Sequence, residues 1–116
     1  IRKIKENKHP IIYGDWLQVR DFIHVSDIAQ ANLSAMLSST NSGFFNVGTG
    51  VPTKIKDLAK IMTEICQKNF EPIFQEALEG DVKISQADME LTQKMINWKY
   101  ETKLKEGLEK FVEGYY

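Results

Sequence analysis

Hydrophobic residues recur at helical spacing most clearly in the middle of the chain. The apolar positions lie three or four residues apart, at Ile55, Leu58, Ala59, Met62, Ile65 and Cys66. This spacing puts them on one face of a helix, and Thr53 is expected to cap its start. Upstream, residues 44–47 form a short apolar run, which is typical of a strand buried on both faces of a parallel sheet. The pattern therefore predicts a buried strand followed by an amphipathic helix.

The remaining segments alternate between the two types of element. Strands are predicted at residues 11–13, 18–25 and 72–74, and helices at residues 26–38, 88–97 and 102–116. Ser26 is expected as the N-cap of the helix that follows the second strand. Turns are expected at Gly14-Asp15 and Gly80-Asp81. Short strands that alternate with about four helices predict a mixed α/β (α+β) fold, with residues 1–116 forming a single domain.

The start of the chain resembles the middle of an element. Residues 1–6 have the amphipathic pattern of a helix already under way, and His9-Pro10 ends it because the residue before a proline is pushed out of the helical region. The first residue is Ile1 and not methionine. We therefore expect a fragment of a longer protein.

Composition narrows the possible partners. The 116 residues carry 15 Lys+Arg against 16 Asp+Glu, a formal charge of -1, and 42% of them are hydrophobic. A packed core is expected, and this balance lacks the basic surface that nucleic-acid binding needs. One cysteine, Cys66, and two histidines make a poor set of metal ligands. No apolar run approaches a membrane span, so we expect a cytoplasmic protein with no nucleic acid, membrane or metal partner.

Three local motifs allow a functional interpretation beside a structural one. The Gly48-Thr49-Gly50 turn follows a predicted strand and opens a helix, as a dinucleotide-binding fingerprint does, but the third glycine is missing, so a plain strand-to-helix turn is favoured. Arg20 projects from a predicted strand and needs either a bound anion or an ion pair with a surface carboxylate. Asp81 follows Gly80 in a turn, where a carboxylate is either exposed or holds the two hydroxyls of a ribose.

The order of these motifs resembles the C-terminal part of the extended short-chain dehydrogenase/reductase family. Within that family the chain is most similar to the NAD-dependent nucleotide-sugar epimerases and dehydratases of the UDP-glucose 4-epimerase type. The matching segments, which span about residues 10–115, are Gly14-Asp15, residues 18–27, residues 45–50, Gly80-Asp81-Val82, Ala87-Asp88, Asn97-Trp98 and residues 104–108.

The resemblance implies a role for individual residues. Ile11, Ile12 and Tyr13 match the strand whose backbone and aromatic ring contact the nucleotide base. Arg20 matches the arginine that binds the diphosphate, and Asp81 matches the carboxylate that accepts hydrogen bonds from the ribose. Leu78 stands where these enzymes usually carry a second phosphate-binding arginine.

The resemblance also implies what the parent enzyme would do. A full-length relative would bind NAD in an N-terminal Rossmann domain, use a Tyr-x-x-x-Lys pair, and form a homodimer through helices of that domain. The present sequence holds no such pair, since Leu17 and Leu104 follow Tyr13 and Tyr100 by four residues. We therefore predict a substrate-binding region without catalytic residues, which grips the nucleoside diphosphate of a UDP-sugar and alone neither binds NAD nor turns over substrate.

The type of parent stays open within this family. An epimerase is favoured, and a nucleotide-sugar 4,6-dehydratase or a UDP-glucuronate decarboxylase would carry the same region. A non-catalytic binding module is a further alternative, because Leu78 departs from the arginine of the family pattern.

Overall fold

A computed structural model describes residues 1–14 and 16–114 of the chain. In these ranges the elements are α1 (Arg2–Lys5), β1 (Ile11–Tyr13), β2 (Val19–Asp21), α2 (Val25–Leu37), β3 (Pro52–Lys54), α3 (Ile55–Ile65), β4 (Ile73–Gln75), α4 (Glu90–Ile96) and α5 (Leu104–Glu113). The mixed α/β class is confirmed, and five helices are present in the described ranges. Asp15 of the expected turn and residues 115 and 116 of the predicted last helix lie outside the described residues.

The four strands form two small sheets. β1 pairs with β4 in parallel, with Ile12 opposite Phe74, and β2 pairs with β3 in antiparallel fashion, with Arg20 opposite Thr53. On the other side of β2, Val19 forms an isolated parallel bridge with Ile84. β2 therefore lies between β3 and the segment that follows residue 81.

Two apolar clusters hold the helices in place. Ala31 of α2, Met89, Ile96 of α4 and Trp98 form the first cluster, and the second contains Ile4 of α1, Met62 of α3 and Val112 of α5. The predicted stripe of α3 is largely confirmed, because Met62, Leu58, Ile65 and Cys66 all belong to the second cluster. Burial of this stripe against α1 and α5 is the main tertiary support of that half of the molecule.

The predicted strand at residues 44–47 is wrong for the described structure. These residues are irregular, and the ring of Phe44 is 99% exposed. No strand among the described residues lies beside them, and the carbonyl of Asn46 instead accepts a hydrogen bond from Thr92 Oγ1 at 2.6 Å. An apolar run becomes a strand only where a neighbouring strand supplies hydrogen-bond partners.

The two predicted helix caps are also wrong. His24 is the N-cap of α2, and its Nδ1 accepts the amide of Ser26 at 3.3 Å. Lys54 is the N-cap of α3, and Thr53 belongs to β3. The predicted second strand, residues 18–25, is reduced to Val19–Asp21 because the pairing with β3 ends there.

α2 exposes several of its large apolar side chains. Leu33, Met36 and Leu37 are exposed, whereas Asp27 and Ala31 are the buried positions. The helix contacts α4, where Ala31 packs in the same cluster as Ile96. No helix in residues 1–14 and 16–114 combines the length and apolar character that a membrane crossing requires.

Candidate functional site

Two of the predicted binding residues, Arg20 and Asp81, meet on the surface of β2. Arg20 Nη2 donates to Asp81 Oδ1 at 2.5 Å, and Arg20 Nη1 donates to the carbonyl of Val19 at 2.8 Å. The two side chains remain 27% and 33% exposed. The ion-pair interpretation of Arg20 is therefore confirmed for the chain as described, and both groups stay accessible from solvent.

The backbone after Gly80 brings Asp81 to this place. Gly80 has a φ of +82°, a conformation that glycine adopts without strain, and the amide of Asp81 donates to the carbonyl of Leu78 at 3.2 Å. The chain then runs beside β2, where Val19 donates to the carbonyl of Lys83 at 2.8 Å and accepts from the amide of Ser85 at 3.0 Å. These bonds bring together two charged groups that are 61 positions apart in the sequence.

Gln18, which the sequence reasoning missed, connects this pair to the end of β1. Its side chain is buried, and Nε2 donates to the carbonyl of Tyr13 at 2.7 Å and to Asp81 Oδ2 at 3.2 Å. Gly14 has a φ of +90°, and a Cβ there would come within 2.1 Å of Gln18 Nε2. The turn after β1 therefore requires glycine where the Gln18 amide packs beneath it. The sequence did contain one indication of Gln18, because Gln18 and Arg20 are two positions apart on an extended segment and so share a face.

Asp21 anchors the opposite side of β2 to two loops. Oδ1 accepts the Thr49 amide at 2.9 Å and the Thr49 hydroxyl at 2.5 Å, and Oδ2 accepts the amides of Gly50 at 2.8 Å and Ala87 at 3.3 Å. Partial burial opposes ionisation of this carboxyl, but the hydrogen bonds from Thr49, Gly50 and Ala87 outweigh it and hold the pKa of Asp21 below its ordinary value. The Asp21 carboxylate is thus a fixed negative charge that positions the strand carrying Arg20.

The same bonds decide between the two interpretations of the Gly48-Thr49-Gly50 turn. The amides of Thr49 and Gly50, which a dinucleotide phosphate would need, already donate to the carboxylate of Asp21. A Cβ on Gly48 would come within 2.7 Å of Asp21 Oδ2. The turn is a structural one, and its residues do not fit the pyrophosphate of NAD.

Ile11, Ile12 and Tyr13 form β1, beside an open cavity. Ile12 is buried and Tyr13 is exposed. The cavity has a volume of about 700 Å³ and is lined by Tyr13, Phe74, Gln75, Glu76, Ala77 and Leu78. Leu78, where the family resemblance implies an arginine, also lines this cavity and is 59% exposed.

One edge of β1 is unpaired. The carbonyl of Pro10 accepts from Ile73, and the amide of Gly14 donates to Gln75. Because main-chain groups of alternate residues point to opposite edges, those of Ile11 and Tyr13 face away from β4. No second strand pairs with this edge within the described ranges, and Gln18 takes only the Tyr13 carbonyl. Backbone donors and acceptors are therefore available beside the cavity.

The described residues form no metal centre of the usual ligand types. Among residues 1–14 and 16–114, no group of three or more His, Cys, Asp or Glu side chains is arranged to hold a metal ion. The site thus consists of a cationic group on Arg20, an acceptor on Asp81, an aromatic cavity and an open strand edge, connected by Gln18.

Comparison with known proteins identifies nucleotide-sugar epimerases as relatives over nearly the whole chain. Residues 1–48 match the model of the NAD dependent epimerase/dehydratase family. The chain is 36% identical to a putative UDP-glucose 4-epimerase of Methanocaldococcus jannaschii over 97% of its own length and 36% of that protein.

Solved structures agree with this result. The UDP-glucose 4-epimerase of Thermotoga maritima, solved with UDP-glucose, is 35% identical with a TM-score of 0.88, over 97% of this chain and 36% of that one. The UDP-glucuronic acid 4-epimerase of Bacillus cereus, solved with UDP-glucuronic acid and NAD, is 25% identical with a TM-score of 0.87, over 99% of this chain and 39% of that one. The chain spans about a third of the length of these relatives. It therefore belongs, as a partial sequence, to the NAD-dependent epimerase/dehydratase family.

Proposed function

We propose that this chain is the C-terminal substrate-binding region of a nucleotide-sugar epimerase and that it holds the nucleoside diphosphate of a UDP-sugar. The observation that carries the proposal is the pairing of Arg20 with Asp81 beside the Tyr13 cavity. Relatives that match nearly the whole chain bind UDP-glucose or UDP-glucuronic acid in their solved structures.

The chemistry of each group suits one part of such a ligand. The planar guanidinium of Arg20 donates to phosphate oxygens through charge-assisted hydrogen bonds. The carboxylate of Asp81 accepts hydrogen bonds from ribose hydroxyls, and the ring of Tyr13 offers an apolar surface to the base. The open edge of β1 at Ile11 and Tyr13 presents backbone amide and carbonyl groups, which complement the polar edge of a pyrimidine.

These contacts are remote from the sugar that reacts. In the parent enzyme they would contribute binding energy and orientation to the step at the sugar ring. A 4,6-dehydratase or a decarboxylase would bind the nucleotide in the same way. The reaction type would be determined by other residues of the parent enzyme.

Replacing Arg20 by alanine tests this proposal. Loss of a hydrogen bond to a charged group costs about 1.5–3 kcal/mol, which corresponds to roughly 10- to 150-fold in affinity. Calorimetric titration of the 116-residue chain with UDP is expected to show this loss for R20A. The control is R2A, which removes the only other arginine of the chain, in α1. Equal UDP affinities of R20A and R2A would contradict the proposal.

Introducing an arginine at Leu78 should strengthen the same site. Leu78 is exposed in the Tyr13 cavity, three positions before Asp81, and carries no charge. A second guanidinium there adds charge-assisted bonds to the diphosphate worth about 1.5–3 kcal/mol, so L78R is expected to bind UDP roughly tenfold or more tightly.

The matched control for L78R is L91R, because Leu91 is similarly exposed but lies on α4 outside the cavity. A general gain from added positive charge would appear in both variants. UDP affinity that rises equally in L78R and L91R would remove the phosphate interpretation of position 78. A rise in neither variant would favour a non-catalytic binding module whose nucleotide site is lost.

A further inference from the structure

Gln18 is a buried polar side chain whose hydrogen bonds are only partly satisfied. Its exposed fraction is 6%, and its backbone carbonyl accepts the amide of Ile55 at 3.0 Å, so the residue is fixed at both ends. Nε2 makes two hydrogen bonds, but Oε1 is buried and has no hydrogen-bond partner among the residues that the structure describes. A buried acceptor that lacks a partner costs free energy. The Gln18 carboxamide therefore carries a cost in folding stability.

The two bonds of Nε2 hold two parts of the nucleotide site together. One goes to the carbonyl of Tyr13 at the end of β1, and the other goes to Asp81 Oδ2. The ion pair with Arg20 uses the other oxygen of the same carboxylate, Oδ1. Asp81 is thus held by one donor on each oxygen, from two residues that share a face of one extended segment.

The way Asp81 shares its two oxygens between Gln18 and Arg20 affects how many guanidinium donors Arg20 has left for a ligand. An arginine and a carboxylate that meet freely prefer a bidentate pair, in which two N–H groups bind both oxygens. In this structure Gln18 Nε2 donates to Oδ2, and the guanidinium meets the carboxylate through Nη2 and Oδ1. The remaining guanidinium donors are then free of Asp81.

We propose that Gln18 is a positioning residue of the nucleotide site, which keeps the Arg20–Asp81 pair end-on so that Arg20 retains donors for a diphosphate. This inference rests on the proposed function for the identity of the ligand, whereas the end-on geometry is testable without any ligand. Without Gln18, Arg20 and Asp81 close into a bidentate pair that competes with the ligand.

The first experiment uses Q18M, which keeps the length of the side chain and removes the carboxamide. The chain contains two arginines, so the guanidinium ¹⁵N–¹H signals of Arg20 are observed beside those of Arg2 as an internal reference. Q18M is expected to shift the Arg20 signals and slow the rotation of its Nη groups, with Arg2 unchanged. A crystal structure of Q18M should show two N–O contacts in the pair. Arg20 signals and geometry identical to those of the wild type would overturn the proposal.

The second experiment measures UDP affinity in a double-mutant cycle. Q18M is expected to bind UDP at least about fivefold more weakly than the wild type, because the closed pair must first open. On a D81N background the same substitution should change affinity by less than about twofold, since Gln18 acts through Asp81. Equal losses on both backgrounds, or no loss on either, would overturn the proposal.

Controls separate positioning from stability and from the proposed function. Q30M changes an exposed glutamine of α2 and should leave both readouts unchanged. If Q18M fails to fold, Q18N takes its place, because its side chain is one methylene too short to reach Asp81, and the same outcomes apply. If the wild type binds UDP no better than R20A, the proposed function fails, and the Arg20 signals of Q18M still decide the role of Gln18.

Discussion

Replacing Asp21 by asparagine is expected to lower the free energy of unfolding by about 2–4 kcal/mol. The Asp21 carboxylate accepts four hydrogen bonds, from Thr49, Gly50 and Ala87, and these join β2 to the turn before β3 and to the loop before α4. Asparagine offers one acceptor oxygen and presents an NH2 group to backbone amides, so some donors lose their partner. Urea unfolding followed by circular dichroism measures the change. The control is D88N, because Asp88 is exposed and its Oδ1 accepts one amide, that of Glu90, which the side-chain oxygen of asparagine can accept equally well.

The pH dependence of urea unfolding tests whether the ionised carboxylate of Asp21 is the source of this stability. The pKa of Asp21 is lower in the folded chain than its ordinary value of 3.8. Its contribution to stability is therefore complete above pH 3.8 and is lost as the pH falls below that value, through the lower pKa of the folded state. The wild type should lose stability in this range, and D21N should lack this component. A stability gap between D21N and the wild type that stayed constant through this range would contradict the assignment.

Replacing Asp27 by alanine is expected to cost about 2–4 kcal/mol. Asp27 is 1% exposed, and its two oxygens accept the amides of Glu101 at 3.0 Å and of Thr102 at 3.2 and 3.4 Å. These bonds fix the segment that leads into α5 against the first turn of α2. Alanine leaves the amides of Glu101 and Thr102 without this acceptor. Thermal and urea unfolding of D27A measure the loss.

Asp57 provides a matched control for Asp27. Both are the acidic residue in the first turn of a helix, α2 for Asp27 and α3 for Asp57, so both interact favourably with the helix dipole. Asp57 is exposed, and D57A should therefore cost less than about 1 kcal/mol. If D27A and D57A destabilised the chain equally, the tertiary bonds of Asp27 would contribute nothing.

The sequence alone determined features that depend on local patterns. The stripe from Ile55 to Cys66 specified α3 because apolar spacing and helical period agree over three turns. The β-forming residues 11–13 specified β1, and the order of motifs around Arg20 and Gly80-Asp81 pointed to the family that the comparisons show.

Other features could not be read from the sequence because they depend on which distant groups meet. The apolar run at residues 44–47 has strand composition, but a strand also needs a partner, and none lies beside it in the described structure. His24 and not Ser26 caps α2, because its Nδ1 accepts the amide of Ser26 and the helix already begins at Val25.

In the candidate site, too, some features follow from local sequence pattern and others only from the tertiary structure. Local pattern singled out Arg20 and Asp81 one by one, each with a structural alternative, whereas only the tertiary structure brought them together across 61 positions and placed Gln18 between them. Propensity and periodicity act over a few residues, so they specify elements and candidate side chains. Long-range hydrogen bonds and buried partners are properties of the folded chain, and they alone decided that Asp21 anchors the strand while Arg20 faces the solvent.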